Sequence, residues 1–535
     1  MRHEVILLGG LFMRFSFTGK QVIRFLGCFL FCLFICTMAF LNRTLFLEPV
    51  SDFLHGASFE TAKAAVQENY LSDRLRGKEQ LITLNGGYAR LQGRLLYNGT
   101  QRTTNGMLTN VVSGLRDTSA FSDNLDRFCR YLENREIPFL FIMAPCKEPT
   151  EESILPLGVR DCTNALADQV LFELAERNVP TMDLRPEMSQ TREQVEKYFY
   201  RTDHHWNVEG SFRAYQRIME AIQAQFPESL LTYTDQGLWK KTVIPNWWLG
   251  THGRRVGPLF GGVDDLDYYL PSFETEMSRY SLEVWTQKGD FREACIREWF
   301  LDHSNFFRLD NYSRYLGGGY PLTRHRNQHA ENSLNLLILR DSFMLPVECF
   351  LSTELSSIDV LDSRVYEVMS VVDYLALNPP DMVIMMIYPG VLYTQDYKYF
   401  TNFGDSKVFE ALQDTRWEEI TVSGTSGNED YTLLPVLLEP GKSYQLTLDH
   451  IQVHSGDPDG ANLVLYYGDS IIDQTVFDID YGNQSGFLWG FKIPDDREDN
   501  RLWQLRLYAG VCGDTEGMSL SYQGIVLKEG VLREP

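Results

Sequence analysis

At 535 residues the chain is several times the usual domain length of roughly 100 to 200 residues, so more than one folding unit and a sizeable core are expected. Hydrophobic residues at 44% and charged residues at 23% exclude disorder along most of the length. With 49 basic against 72 acidic residues the formal net charge is −23, which repels a phosphate backbone; no basic patch offsets it, and nucleic acid is excluded as a partner.

The first element is apolar. Phe25 to Leu41 reads FLGCFLFCLFICTMAFL without a charge and follows Arg14, Lys20 and Arg24. Spanning a bilayer takes about 20 apolar residues, with tolerance to about 17, and the basic flank stays cytoplasmic, so the segment predicts a single-pass anchor with the bulk of the chain extracytoplasmic. A cleaved signal peptide is the competing reading, with Thr37, Met38 and Ala39 as a loose cleavage site, but Met38 and Phe40 fit it poorly. This divides the N-terminus into a cytoplasmic tail (1–24), an anchor (25–41) and a stalk (42–79), part of it helical at about 58–75.

Residues 119–132 place Phe121, Leu125, Phe128 and Leu132 at helical spacing, and 138–145, PFLFIMAP, is a continuous apolar run of the buried-strand kind. A helix at about 163–177 and a short strand ending near Asp183 follow. After Asn207 a helix carries Phe212, Tyr215, Ile218, Met219 and Ile222 on one face. The runs 334–339, 357–361 and 381–387 then alternate with helical stretches near 343–355 and 366–378. Strands alternating with helices predict an α/β sandwich with a mainly parallel sheet over 80–405. Residues 230–330 interrupt this rhythm and read as an insertion rich in aromatics, among them Trp239, Trp247, Trp248, Tyr268, Tyr269, Trp285, Trp299, Tyr312, Tyr315 and Tyr320. Exposed aromatics suit sugar stacking, yet burial is their commoner fate. From 410 to 535 alternating strands with Gly, Pro and Asp turns predict a β-sandwich, of a kind that either binds carbohydrate or braces its neighbour. The nine cysteines form no CxxC and show no metal-ligand spacing; Cys146 and Cys162 could bridge.

Two segments carry chemistry. In Tyr200-Arg201-Thr202-Asp203-His204-His205-Trp206-Asn207, Asp203 and His205 are two apart, so on an extended segment they share a face and the carboxylate orients the imidazole. In Leu339-Arg340-Asp341-Ser342-Phe343, a serine follows a strand and opens a helix, at the carboxyl edge where α/β sheets form sites and where a helix N-terminus favours a developing oxyanion. Ser342, His205 and Asp203 thus supply a nucleophile, a base and its orienter. Taken alone each motif is weak, AspSer being a common helix cap. Metal ligation by Asp203, His204 and His205 is the main rival, but no HxxxH or HxE pattern accompanies it and it leaves the serine idle, so neither a metal nor another cofactor is expected.

With AspHisHisTrp upstream and ArgAspSerPhe downstream, residues 80–400 resemble the bacterial DHHW proteins and the SGNH-hydrolase-like proteins of alginate O-acetylation, the AlgJ and AlgX type. The resemblance implies an SGNH-like (flavodoxin-like) three-layer α/β sandwich and a triad of Asp203, His205 and Ser342, with His204 outside it. Further likeness lies in AlaProCysLysGluPro with Lys147, in GlyThrHisGlyArgArg at 250–255 and in LeuAspSerArg at 361–364. Lys147 and Arg364 are therefore candidate substrate-binding cations, with internal ion pairing as the alternative. An ordinary SGNH hydrolase has Gly where Arg340 stands, and its Asp and His follow the serine. The order here fits the alginate type, and no motif assigns oxyanion donors beyond the Ser342 amide. The implied activity is transfer of an acetyl group to a cell-surface or secreted polysaccharide through a serine acyl-enzyme, with an acyl donor and a multispanning membrane O-acyltransferase as partners. The alternatives are a carbohydrate esterase with the same triad and a non-catalytic glycan-binding or assembly protein.

Overall fold

The computed structural model describes residues 19–56, 58–61, 63–64, 75–227, 233–281, 284–301, 307, 309–366, 370–394 and 403. Beyond these it describes 415–420, 426–427, 432–434, 438–448, 450–455, 461–467, 470–477, 487–493, 503–509, 519–523 and 526–532. The chain divides into two units, one of residues 1–93 with 256–260, the other of 94–255 with 261–535. The part of the expected stalk helix at 65–74 lies outside the described residues.

In the first unit the apolar run forms helix α1 (Gly19–Leu41), of which Arg24–Leu41 has a mean hydropathy of 2.2 and is unburied. It is long and apolar enough to cross a membrane, a property that signal sequences share. Helix α2 (Arg43–Leu54) follows after Asn42, and α3 (Lys78–Leu91) packs Gly86 and Ala89 inward.

The second unit is organised by strands β1 (Phe139–Met143), β2 (Thr181–Asp183), β3 (Trp239–Trp248), β4 (Asp264–Pro271), β5 (Met277–Ser281), β6 (Val284–Gly289), β7 (Leu322–Asn327), β8 (Asn335–Arg340), β9 (Ser357–Leu361) and β10 (Met382–Ile387). Eight of them form one sheet in the order β2-β1-β10-β8-β9-β7-β5-β6, while β3 and β4 pair separately. From β2 to β9 the pairs are parallel; β7, β5 and β6 extend the sheet antiparallel. The sheet is therefore mixed, and part of the expected insertion is its edge. These strands escaped the pattern because they are polar yet buried: β7 reads LTRHRN with Thr323, Arg324, His325 and Asn327 inside, and β5 buries Arg279.

The parallel strands are apolar on both faces, and strand periodicity sends alternate side chains to opposite cores. Ile142, Leu336, Ile338, Ile358, Val360, Ile384 and Met386 share one core with helices α6 (Val208–Gln225) and α7 (Met344–Leu351). Phe141, Met143, Leu337, Leu339, Leu361, Val383 and Met385 share the other with α4 (Ser119–Glu133), α5 (Thr163–Glu176) and α8 (Val371–Leu377). This is an α/β arrangement, with helices on both faces of a mixed sheet. Most of the 230–330 aromatics whose side chains are described turn inward: Trp239, Trp248, Tyr268, Tyr269, Tyr312 and Tyr315 are buried, whereas Trp299 is 59% exposed. Cys146 and Cys162 are buried free thiols, and Cys146 Sγ donates to Asn164 Oδ1 at 3.4 Å. After residue 415 the strands pair antiparallel in sheets of four and five strands and a separate two-stranded ladder.

Candidate active site

Strand β8 ends at Arg340 and α7 starts at Met344, leaving Asp341-Ser342-Phe343 as a tight turn at the carboxyl edge of the sheet. Asp341 fixes it: Oδ1 accepts the Phe343 amide at 2.9 Å, and Oδ2 accepts the Tyr388 amide, just past the neighbouring β10, at 2.5 Å. Ser342 is half-buried on this turn. Arg340, where an ordinary SGNH hydrolase has glycine, is wholly buried with its guanidinium 3.5 Å from both Glu348 of α7 and Asp362. Two carboxylates in reach let an arginine occupy a place where an isolated charge would cost several kcal/mol.

The histidine segment is held from four sides. A bridge between Phe199 and Trp206 closes the loop, and Asn207 caps α6 by accepting the Gly210 amide at 3.1 Å. Asp264 of β4 accepts the Arg201 and Thr202 amides at 2.6 and 2.7 Å and the Thr202 hydroxyl at 2.5 Å. Lys147, 3% exposed, donates to the Leu108 and Arg201 carbonyls at 2.8 and 3.1 Å. Finally, Gly250 passes so close that a Cβ there would lie 2.4 Å from Asp203 Cβ, and only glycine fits without a shift.

The expected extended segment is instead a bend. Asp203 Oδ1 accepts both the backbone amide of His205 at 3.0 Å and its Nδ1–H at 2.6 Å, so a local side chain-to-backbone turn brings the imidazole to the carboxylate. Oδ2 accepts the Thr251 amide at 2.6 Å. On its other side His205 Nε2 lies 2.7 Å from Ser342 Oγ. The His205 ring stacks on Tyr312, centroids 3.8 Å apart and planes at 8°, and the Tyr312 hydroxyl donates to the Phe343 carbonyl at 3.4 Å. Asp203, His205 and Ser342, 137 residues apart in sequence between the last two, thus form one hydrogen-bonded line.

Burial alone would raise the Asp203 carboxyl, but the rings of His204 and His205 and the hydrogen bonds from His205 and Thr251 hold it well below the usual carboxylate range. Burial pushes the imidazoles of His204 and His252 down, with other cationic groups adding to the effect. Burial likewise lowers the Lys147 ammonium to about 8 against the pull of Asp264 and Asp203. Arg364, with a third of its side chain exposed, forks onto Asp362 at 2.6 and 2.8 Å. His204 lies at the edge, its Nδ1 3.4 Å from Asp203 Oδ1. One ligand atom from each of Asp203, His204 and His205 lies within 4.8 Å of the others. Asp264, Gly250, Tyr312 and His252 were not assigned from sequence. Tyr312 was visible only as one aromatic among many, and His252, 1% exposed and without a hydrogen-bond partner on either ring nitrogen among the described residues, only within GlyThrHisGlyArgArg.

Residues 110–248, which include Asp203 and His205 but not Ser342, match the family model for the SGNH hydrolase-like domain of the acetyltransferase AlgX. Over that stretch the chain is similar to an AlgX-type SGNH hydrolase-like domain. Among solved structures, Bacillus cereus PatB1 is similar at 20% identity and TM-score 0.47, over 56% of this chain and 98% of that one. A DHHW family protein from Eubacterium siraeum gives 17% and 0.43 over 57% and 96%, and the O-acetyltransferase domain of Pseudomonas putida AlgJ 14% and 0.36 over 59% and 98%. Likeness at these levels carries no weight for the activity. Comparison with curated proteins finds no match.

Proposed function

We propose that this chain transfers an acetyl group to a polysaccharide hydroxyl outside the cytoplasm through an acyl-enzyme on Ser342. The observation that carries the reading is the 2.7 Å contact of His205 Nε2 with Ser342 Oγ, backed by the 2.6 Å contact of Nδ1 with Asp203. The AlgX-type domain match supports polysaccharide O-acetylation as the setting.

Asp203, kept ionised by its surroundings, accepts a hydrogen bond from Nδ1–H, which holds the proton on Nδ1 and leaves the Nε2 lone pair facing the serine. Ser342 Oγ attacks the acetyl carbonyl of the donor as its proton passes to Nε2. The tetrahedral oxyanion forms beside the Ser342 amide at the start of α7, where backbone N–H groups stabilise developing negative charge. As the donor bond breaks, His205 returns the proton to the leaving group, and the acetyl ester stays on Ser342. A glycan hydroxyl then gives its proton to Nε2, attacks that ester, and Ser342 departs with the proton. Ser342 is half-buried, open enough for water to take the acceptor's place, which would make the same site an esterase.

We assign Lys147 to positioning the 201–205 loop through the Arg201 carbonyl, and Arg364 to contact with the substrate. We also read 25–41 as an uncleaved anchor with 1–24 in the cytoplasm, and 42–79 as a stalk. Residues 80–405 are then the SGNH-like domain, served by a multispanning membrane O-acyltransferase, and the antiparallel sheets of 410–535 a β-sandwich that engages glycan. The test is Ser342→Ala in the full-length protein. Acetyl release from an aryl acetate and acetylation of a polysaccharide should both fall to background, with wild-type rates insensitive to a chelator. Undiminished acetylation by the variant would sink the reading, and chelator-sensitive activity with stoichiometric metal would move it to the Asp203, His204, His205 cluster.

A further inference from the structure

Helix α3 is fastened to the outer end of α1. Asn42, 2% exposed, immediately follows α1; its Oδ1 accepts the Arg76 amide at 2.7 Å, and its Nδ2 donates to the Arg76 carbonyl at 3.2 Å and the Met38 carbonyl at 3.0 Å. Gly77, in the left-handed region with φ of 83°, turns the chain into α3 so closely that a Cβ there would sit 3.2 Å from Met38 Cε. Whatever level α1 reaches, α3 starts within one side chain of it.

From there α3 runs about 21 Å for its fourteen residues. One face is used: Gly86 and Gly87 lie against Val256 and Leu259, and Arg90 Nη1 donates to the Leu259 carbonyl at 3.2 Å. The adjoining face carries Leu84, Tyr88 and Leu91, one stripe at i, i+4 and i+7, exposed by 61%, 63% and 88%. Leu259 beside it is 51% exposed. Helix α2, directly beyond the span, likewise exposes Leu47, Val50, Phe53 and Leu54. In a chain of net charge −23, residues 76–91 hold Arg76, Lys78 and Arg90 against the single acid Glu79.

We infer that α3 lies in the outer headgroup layer of the bilayer that α1 crosses, with Leu84, Tyr88 and Leu91 dipping into lipid. An apolar stripe with a basic flank is what an interfacial helix presents, and a tyrosine suits the boundary between apolar and wet. Continuity with the span favours lipid over a protein partner, because the stripe begins where the membrane helix ends. The inference rests on 25–41 being an uncleaved anchor, and the experiment separates the two.

The full-length chain is placed in nanodiscs of phosphatidylcholine and phosphatidylglycerol, with a benzophenone amino acid substituted singly at Phe31, Leu84, Leu91 or Leu157. Phe31 lies in the span, and Leu157, fully exposed in the other unit, is the control. On illumination, Leu84 and Leu91 should yield phospholipid adducts several-fold above Leu157 and close to Phe31. Adducts at Phe31 with Leu84 and Leu91 at the Leu157 level overturn the inference and leave the anchor standing. A chain that stays off the bilayer, with no adduct at Phe31, overturns both. In native membranes, a polypeptide adduct at Leu91 in place of lipid overturns it in favour of protein docking.

Discussion

Gly250→Ala is a perturbation outside the three reacting residues whose size follows from the geometry. The new methyl carbon would lie 2.4 Å from Asp203 Cβ and 2.7 Å from its Cα and backbone nitrogen, where ordinary contact begins at 3.4 Å. Relief therefore needs a movement of about 1 Å. The loop has little slack, because the Thr202 hydroxyl accepts the Gly250 amide at 2.8 Å and the Thr202 carbonyl accepts the Gly253 amide at 2.9 Å. Transmitted to His205, such a shift stretches the 2.7 Å contact with Ser342 to about 3.7 Å, and a displacement of that size costs about 10²-fold in rate. Overpacking adds about 1–3 kcal/mol of destabilisation. The assay is kcat/KM for aryl acetate cleavage beside the urea midpoint, with Gly114→Ala, which meets nothing within 4 Å, as the control. Wild-type rate and midpoint in Gly250→Ala would mean that the loop absorbs the methyl without moving His205.

Asp203→Asn keeps the shape but presents the wrong hydrogen-bonding group to His205 Nδ1, and should lower kcat by about 10⁴-fold, checked by steady-state kinetics; a loss under about tenfold would contradict the assigned role. Lys147→Met removes the Lys147 donor from the Leu108 carbonyl, while the Arg201 carbonyl keeps the Leu108 amide at 2.8 Å, and should cost about 1–3 kcal/mol; a raised KM at unchanged stability would instead indicate direct substrate contact. Glu354, 2% exposed beneath the Tyr215 hydroxyl, is raised by burial to about 7 from 4.5, so its contribution to stability is full below pH 4.5 and is lost as pH rises through 7. The difference in urea-derived stability between wild type and Glu354→Gln should change by about 3 kcal/mol across that window, and a flat difference would exclude the shift.

Where a segment's own pattern decides its fate, the sequence sufficed. The apolar run 381–387 is strand Met382–Ile387 because residues buried on both faces need no alternation, and 119–132 is a helix because its apolar residues repeat at helical spacing. Ends were set by details too local to rank: Ser370, whose hydroxyl accepts the Asp373 amide at 3.1 Å, starts α8 later than the expected 366. Asp203, His205 and Ser342 could be picked out because histidine is scarce, ten in the whole chain, and because the AspHisHisTrp and ArgAspSer segments fall at strand or helix ends. Their supports could not. Asp264 reaches Thr202 across 62 residues, Tyr312 stacks on His205 from a stretch that reads as an insertion, and the edge strands hide behind buried Arg279, Arg324 and His325. Side chains that act through tertiary contact leave no periodic trace.

The proposed reaction runs through a covalent acetyl ester on one serine. The direct measurement is peptide-level mass spectrometry of the full-length protein quenched in acid during turnover of an aryl acetate. An acetyl mass increment confined to the peptide bearing Ser342, absent from Ser342→Ala and accumulating when the glycan acceptor is withheld, is the predicted result. Turnover without any acetylated serine, or with the increment on another residue, would contradict the account.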